Sequence, residues 1–126
     1  MSLVLIIAVL AACASTGAPA TTSASSSNVI SRAELDAAGS ATVYDVIVRL
    51  RANYLRSRGP TSVVNTSART VAVVFVGDTE YGDLESLRRF PATRIEEVRY
   101  YSGLEATTKF GSVFGAGVIA LRPRVQ

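Results

Sequence analysis

The chain has 126 residues, 48% of them hydrophobic and 18% charged, with 13 basic and 10 acidic side chains, one cysteine, and neither histidine nor tryptophan. This length holds one small domain. A lone cysteine rules out an internal disulfide, and the lack of histidine rules out a Ser/His/Asp triad and an ordinary His/Cys zinc site. The excess of three positive charges is small, and every basic residue except Lys109 is arginine. No basic patch or stripe is concentrated in the sequence, so nucleic-acid binding is not expected.

Residues 3–10 (LVLIIAVL) are uninterrupted apolar and run into the small residues Ala11-Ala12-Cys13-Ala14. The run is too short for a bilayer span, which needs ~20 apolar residues. It reads as the apolar core of an export signal with a small-residue cleavage site. The quartet Leu10-Ala11-Ala12-Cys13 resembles a bacterial lipoprotein signal. That resemblance implies removal of residues 1–12 and a diacylglycerol on the Cys13 sulfur, a firm anchor once two or more acyl chains are present. It also accounts for an unpaired cysteine in an exported chain. Only the α-amino group of Met1 supplies positive charge ahead of the run, where such signals usually carry Lys or Arg. With the non-acidic Ala14 next, the resemblance implies an outer-membrane lipoprotein facing the periplasm. The bland alternative makes Cys13 a small residue of a signal or core segment. Residues 14–28 (ASTGAPATTSASSSN) carry no charge and no large apolar side chain, so they are expected to form a flexible tether.

The folded part is expected over residues 29–124. Ser31-Arg32-Ala33-Glu34 has the form of a capping box and Gly39 suits a helix terminus, which predicts a helix over residues 32–38. Thr42 to Asp45 offers a second cap. Val43, Val46, Ile47, Leu50 and Tyr54 then recur on one helical face, predicting the longest helix, ending near Arg58-Gly59-Pro60. Arg49 and Arg56 fall on one flank of that stripe, Arg51 and Arg58 on the other. They fit either a helix lying on acidic lipid or, the reading favoured here, a core-facing helix whose arginine stems cover its rim.

Residues 61–70 are polar and read as a loop with a short edge strand at Val63-Val64. Residues 71–76 (VAVVFV), bounded by Gly77-Asp78, predict a central strand covered on both faces. Asp83 can cap a short helix over residues 84–90, stopped by Pro91. Thr93 to Glu96 is a turn leading into an alternating strand over residues 97–101. Ser102 and Glu105 cap a helix reaching Lys109-Phe110, with Gly111 at its end. Residues 117–122 form the last strand. Short helices and strands alternate, but the crossovers are too short for a doubly wound sheet, so the fold class is α+β with a small mixed sheet.

Over residues 29–122 this order resembles the plug domain of TonB-dependent outer-membrane receptors. The residues that carry the resemblance are Val73-Val74-Phe75-Val76-Gly77-Asp78, the segment from Leu87 through Pro91 and Ile95-Glu96-Glu97-Val98, then Ala106 to Gly111, and Gly115-Ala116-Gly117-Val118-Ile119. The stretch from Ile30 to Leu50 is similar to the helix pair that opens the plug. Three departures stand against it. Gly103 is followed by Leu104 where the family often has Pro, the closing strand ends Leu121-Arg122-Pro123-Arg124, and the chain lacks the several hundred residues of a barrel. A barrel must close to satisfy its backbone in lipid, so the chain is not expected to transport by itself. No TonB-box segment is evident, so energy coupling is not implied.

Asp78, Glu80, Asp83 and Glu85 form an acidic cluster, but the calcium-loop pattern is not matched, and a turn and a helix cap explain two of them, so no metal is expected. Glu96-Glu97 are neighbours on a strand and point to opposite faces, which argues against a shared acid/base site and against an enzyme. The glycines at 111, 115 and 117 match no phosphate loop and are read as permitting tight turns; no cofactor is expected. Tyr100, Tyr101, Phe110 and Phe114 are the candidate partner-binding residues. Alternation sends one tyrosine into the core, and packing is the competing role for all four. The sequence thus points to a lipid-anchored, plug-like module that binds another envelope protein. The alternative is a small-ligand-binding lipoprotein that presents its substrate to a separate outer-membrane receptor.

Overall fold

The computed structural model describes residues 27–58 and 69–125. The expected signal, Cys13, all but the last two tether residues, Gly59-Pro60 and the Val63-Val64 strand lie outside them. The elements in chain order are β1 (Val29–Ile30), α1 (Arg32–Ala37), α2 (Val43–Leu50), a 3-10 turn (Ala52–Leu55), β2 (Val73–Val76) and β3 (Thr79–Gly82). Two further 3-10 segments follow at Leu84–Arg89 and Ala92–Arg94, then β4 (Ile95–Tyr101), α3 (Gly103–Phe110), a 3-10 turn (Ser112–Phe114) and β5 (Val118–Pro123). The strands form one sheet in the order β1-β4-β5-β2-β3, with β2 parallel to β5 and the other neighbours antiparallel. This is the small mixed sheet of an α+β fold.

Local sequence sets the helix starts. Ser31, Thr42 and Ser102 each accept from the backbone N–H three residues on, while Glu34, Asp45 and Glu105 reach back to the capping residue's own N–H. Each box occupies two donors that a helix N-terminus otherwise leaves open. The Asp83 carboxylate likewise accepts from the Ser86 N–H, but the segment that it starts winds as a 3-10 helix.

Two expectations need correction. The second helix stops at Leu50, because Arg51 leaves helical geometry at φ −145° and ψ 49°. The chain continues as a 3-10 turn, Leu50 remains 42% exposed, and Arg56 and Arg58 are not on the helix. The break lets Tyr54 turn inward, where its ring stacks on Tyr100 at 4.6 Å and its hydroxyl donates to the Ser27 carbonyl at 2.5 Å. The second correction is β3, which the sequence reading missed. Val76 pairs with Thr79 across Gly77-Asp78, and the positive φ of Gly77 (62°) supplies the backbone of a two-residue hairpin. Hydrogen bonding of the domain begins two residues before the expected boundary: Asn28 accepts from the Tyr100 N–H at 2.7 Å, beside the Ser27 contact.

Alternation along the strands divides the core. One sheet face presents Ile30, Val74, Val98, Tyr100, Ile119 and Leu121 to α1, α2 and the 3-10 segments at Ala52–Leu55, Leu84–Arg89 and Ala92–Arg94, and together they make the main core. Each large aliphatic residue buried there is worth about 1.5–3 kcal/mol over exposure. The other face carries Val73, Phe75 and Val118, covered by Ala106 of α3 and by Phe114. The expectation that β2 is covered on both faces therefore holds.

Three carboxyls sit below the usual carboxylate range: Asp36 through a hydrogen bond from Arg124, Asp45 through those from Thr42, and Glu105 through those from Ser102. A folded-state value below the unfolded one stabilises the fold fully above the unfolded carboxylate range, and that contribution is lost as pH falls from there through the lower folded-state values. The melting temperature is accordingly expected to stay level from about pH 5 to about pH 8, where no histidine titrates, and to drop below about pH 4. Equal melting temperatures in thermal scans at about pH 3 and about pH 7 would contradict this.

Candidate functional site

The second sheet face is covered only in part. α3 and the Ser112–Phe114 turn lie over Val73, Phe75 and Val118, while Glu97, Arg99 and Arg122 of β4 and β5 line an open groove of about 330 Å³ beside them. Strand register builds its floor: Arg99 stands opposite Ala120, and Glu97 opposite Arg122. A bulge between Ile95 and Glu97 re-aims the start of β4, so that Ile95 and Val98 both enter the main core while Glu97 joins Arg99 on the groove side. The far wall comes from the last turn of α3. Phe110 meets the Tyr101 ring edge to face at 5.3 Å, and the Lys109 ammonium lies 4.6 Å over Tyr101 and 5.3 Å over Phe110 while donating to the Tyr101 hydroxyl at 2.9 Å.

Of the four aromatic residues singled out in the sequence, Tyr101 and Phe110 line this groove. Phe114 is 8% exposed and packs edge-on against Phe75 at 5.4 Å, in the small core beneath α3. Tyr100 is 4% exposed on the opposite face, stacked on Tyr54 with the Arg58 guanidinium 5.2 Å from its ring centre. Burial raises the hydroxyl pKa of both Tyr54 and Tyr100. The Tyr100 hydroxyl has no hydrogen-bond partner among the described residues, so this ring packs rather than presents. Cys13 lies outside the described residues.

The acidic residues after β2 are dispersed. Glu80 pairs with Arg69 at 2.6 Å, Glu85 pairs with Arg88 at 2.7 Å, Asp83 caps its 3-10 segment, and Asp78 lies on the groove. Among the described residues, no three His, Cys, Asp or Glu side chains converge to hold a metal. Glu96 and Glu97 take different partners: Glu96 pairs with Arg32 at 2.6 Å, and Glu97 with Arg99 at 3.2 Å. Arg51 is drawn to Glu34 at 3.4 Å, which ties the end of α2 to α1.

Sequence reading missed Arg99, Lys109 and Arg122, because each belongs to a different element and only the sheet register and the α3 terminus bring them together. In comparisons with known proteins, no family model, no curated sequence and no solved structure matches the chain.

Proposed function

We propose that the protein is a lipid-anchored, periplasm-facing module of the bacterial outer membrane whose plug-like domain binds another envelope protein. The observation that carries the binding role is the open groove, where Tyr101 and Phe110 stand beside charged residues on a sheet face that α3 leaves half uncovered. Aromatic side chains next to arginine are the composition that protein interfaces favour. The anchor and the location rest on the lipoprotein-like quartet at Cys13, and the plug-like assignment on the segments from Val73 to Ile119 that resemble that family.

Two experiments test this. A photo-cross-linking amino acid placed at Tyr101 in cells should capture one defined envelope protein, while the same group placed at the exposed Arg56, outside the groove, should not. If no protein is captured at Tyr101 and a small molecule co-purifies with the domain, the binding role proposed here is wrong. Separately, Cys13→Ala should abolish labelling by an alkyne fatty acid and move the protein from the membrane to the soluble fraction. Unchanged labelling and fractionation would remove the anchor from the proposal.

A further inference from the structure

We infer that the groove takes an acidic peptide segment, one that carries carboxylates beside an aromatic or aliphatic side chain. This rests on the proposed binding role and specifies the partner's chemistry. Three cations and two carboxylates line the groove, Arg99, Lys109 and Arg122 against Glu97 and Asp78. Glu97 stands in register opposite Arg122 but pairs with Arg99, so Arg122 is exposed and makes no ion pair among the described residues. Lys109 likewise has no carboxylate there. Its ammonium is positioned by the Tyr101 hydroxyl and by two aromatic faces. Neither cation is paired with a carboxylate among the described residues, so both keep hydrogen-bond capacity for a ligand. An arginine fork and an ammonium are matched by carboxylates, the arginine in bidentate fashion.

Beside the charged residues the groove also offers apolar surface: the Tyr101 and Phe110 rings form one wall and Ala120 part of the floor. A bare phosphate would leave those surfaces in water, whereas a peptide with an apolar side chain next to its carboxylate covers both. Asp78 follows Gly77, whose N–H donates to the Leu121 carbonyl, so it stands at the Arg122 end of the groove, whereas Lys109 lies at the Tyr101 end; its repulsion directs a carboxylate toward Lys109 first.

The test uses the full-length protein and fluorescent capped peptides of sequence Glu-Phe-Glu-Phe-Glu, with Gln and Lys versions in place of Glu, and phosphatidylglycerol vesicles as a competing anionic surface. The Glu peptide should bind, with backbone amide shifts at Tyr101, Phe110 and Ala120, and the Gln version should bind at least about tenfold more weakly. Lys109→Gln and Arg122→Gln should each weaken binding about two- to fivefold, as expected for exposed charge pairs. The double variant Lys109→Glu/Arg122→Glu should exchange the preference in favour of the Lys peptide, an outcome that misfolding does not produce. Equal affinity for the Glu and Gln peptides overturns the inference. So does a charge-reversed variant with an unchanged circular-dichroism spectrum and no switch in preference, or vesicles that bind through the groove while the Glu peptide does not. If the Glu peptide fails but Tyr101 still cross-links one envelope protein, the acidic partner is wrong and the binding role stands; if both fail, both are wrong.

Discussion

Gly103→Ala is expected to destabilise the domain by about 3 kcal/mol, the upper end of the usual cost of overpacking, which for a domain of this size is roughly 12–24 °C in melting temperature. A Cβ at Gly103 would lie 2.1 Å from the Gly115 carbonyl oxygen and 3.0 Å from its carbon. Both atoms belong to backbone that leads directly into β5, so no flexible side chain can move aside. The first turn of α3 would have to lift from the chain beneath it, and Lys109 and Phe110 would leave the groove wall with it. Gly39→Ala makes a useful contrast. Gly39 has open space around it but a φ of 62°, so only the left-handed backbone opposes a side chain, at about 1–2 kcal/mol. Thermal melts that rank the two variants the other way would show that the Gly103–Gly115 approach is not a fixed constraint.

Phe75→Ala is expected to cost about 3–5 kcal/mol, the range for removing a buried aromatic ring. Phe75 is 6% exposed and holds the small core together, with Phe110 at 4.6 Å and Phe114 at 5.4 Å. The larger core on the other face does not include it. The damage should therefore fall unevenly. Hydrogen exchange should show greater loss of amide protection in α3 than in α2, and binding in the groove should weaken because Phe110 loses its support. Uniform loss of protection across both helices would mean that the two core layers unfold as one unit.

Three helix starts were legible in the sequence because a capping box is local: the side chain that accepts and the one that returns lie three residues apart. The apolar run of β2 was legible for a similar reason, since burial on both faces leaves no polar position to interrupt it. What escaped depended on partners distant in the chain. Thr79–Gly82 has no apolar alternation of its own and becomes a strand through pairing with β2, although Gly77-Asp78 directly after an apolar run was the available hairpin signal. The spacing of Leu50 and Tyr54 fitted a continuous helix, and nothing local revealed that Tyr54 would turn away to meet Ser27 and Tyr100. The groove was half legible. Its aromatic wall was visible as Tyr101 and Phe110, whereas the meeting of Arg99 with Arg122 follows from the β4–β5 register, and that of Lys109 with both from the way α3 lies across the sheet.

The position of β5 bears on when the sheet can form. It is the last of the described strands in the chain, yet it lies third in the sheet and supplies the hydrogen bonds that join β4 to β2. Before residues 118–123 are available, the β1–β4 and β2–β3 pairs share no ladder, and the Val73–Val118 pairing spans a long stretch of chain whose closure entropy must be met first. In a growing chain the two pairs thus stay separate until residues 118–123 are made, because the strand that unites them emerges from the ribosome after the other described strands. In the proposed envelope setting this delay would favour export, because the unfolded polypeptide can be threaded across the inner membrane before its tertiary structure locks.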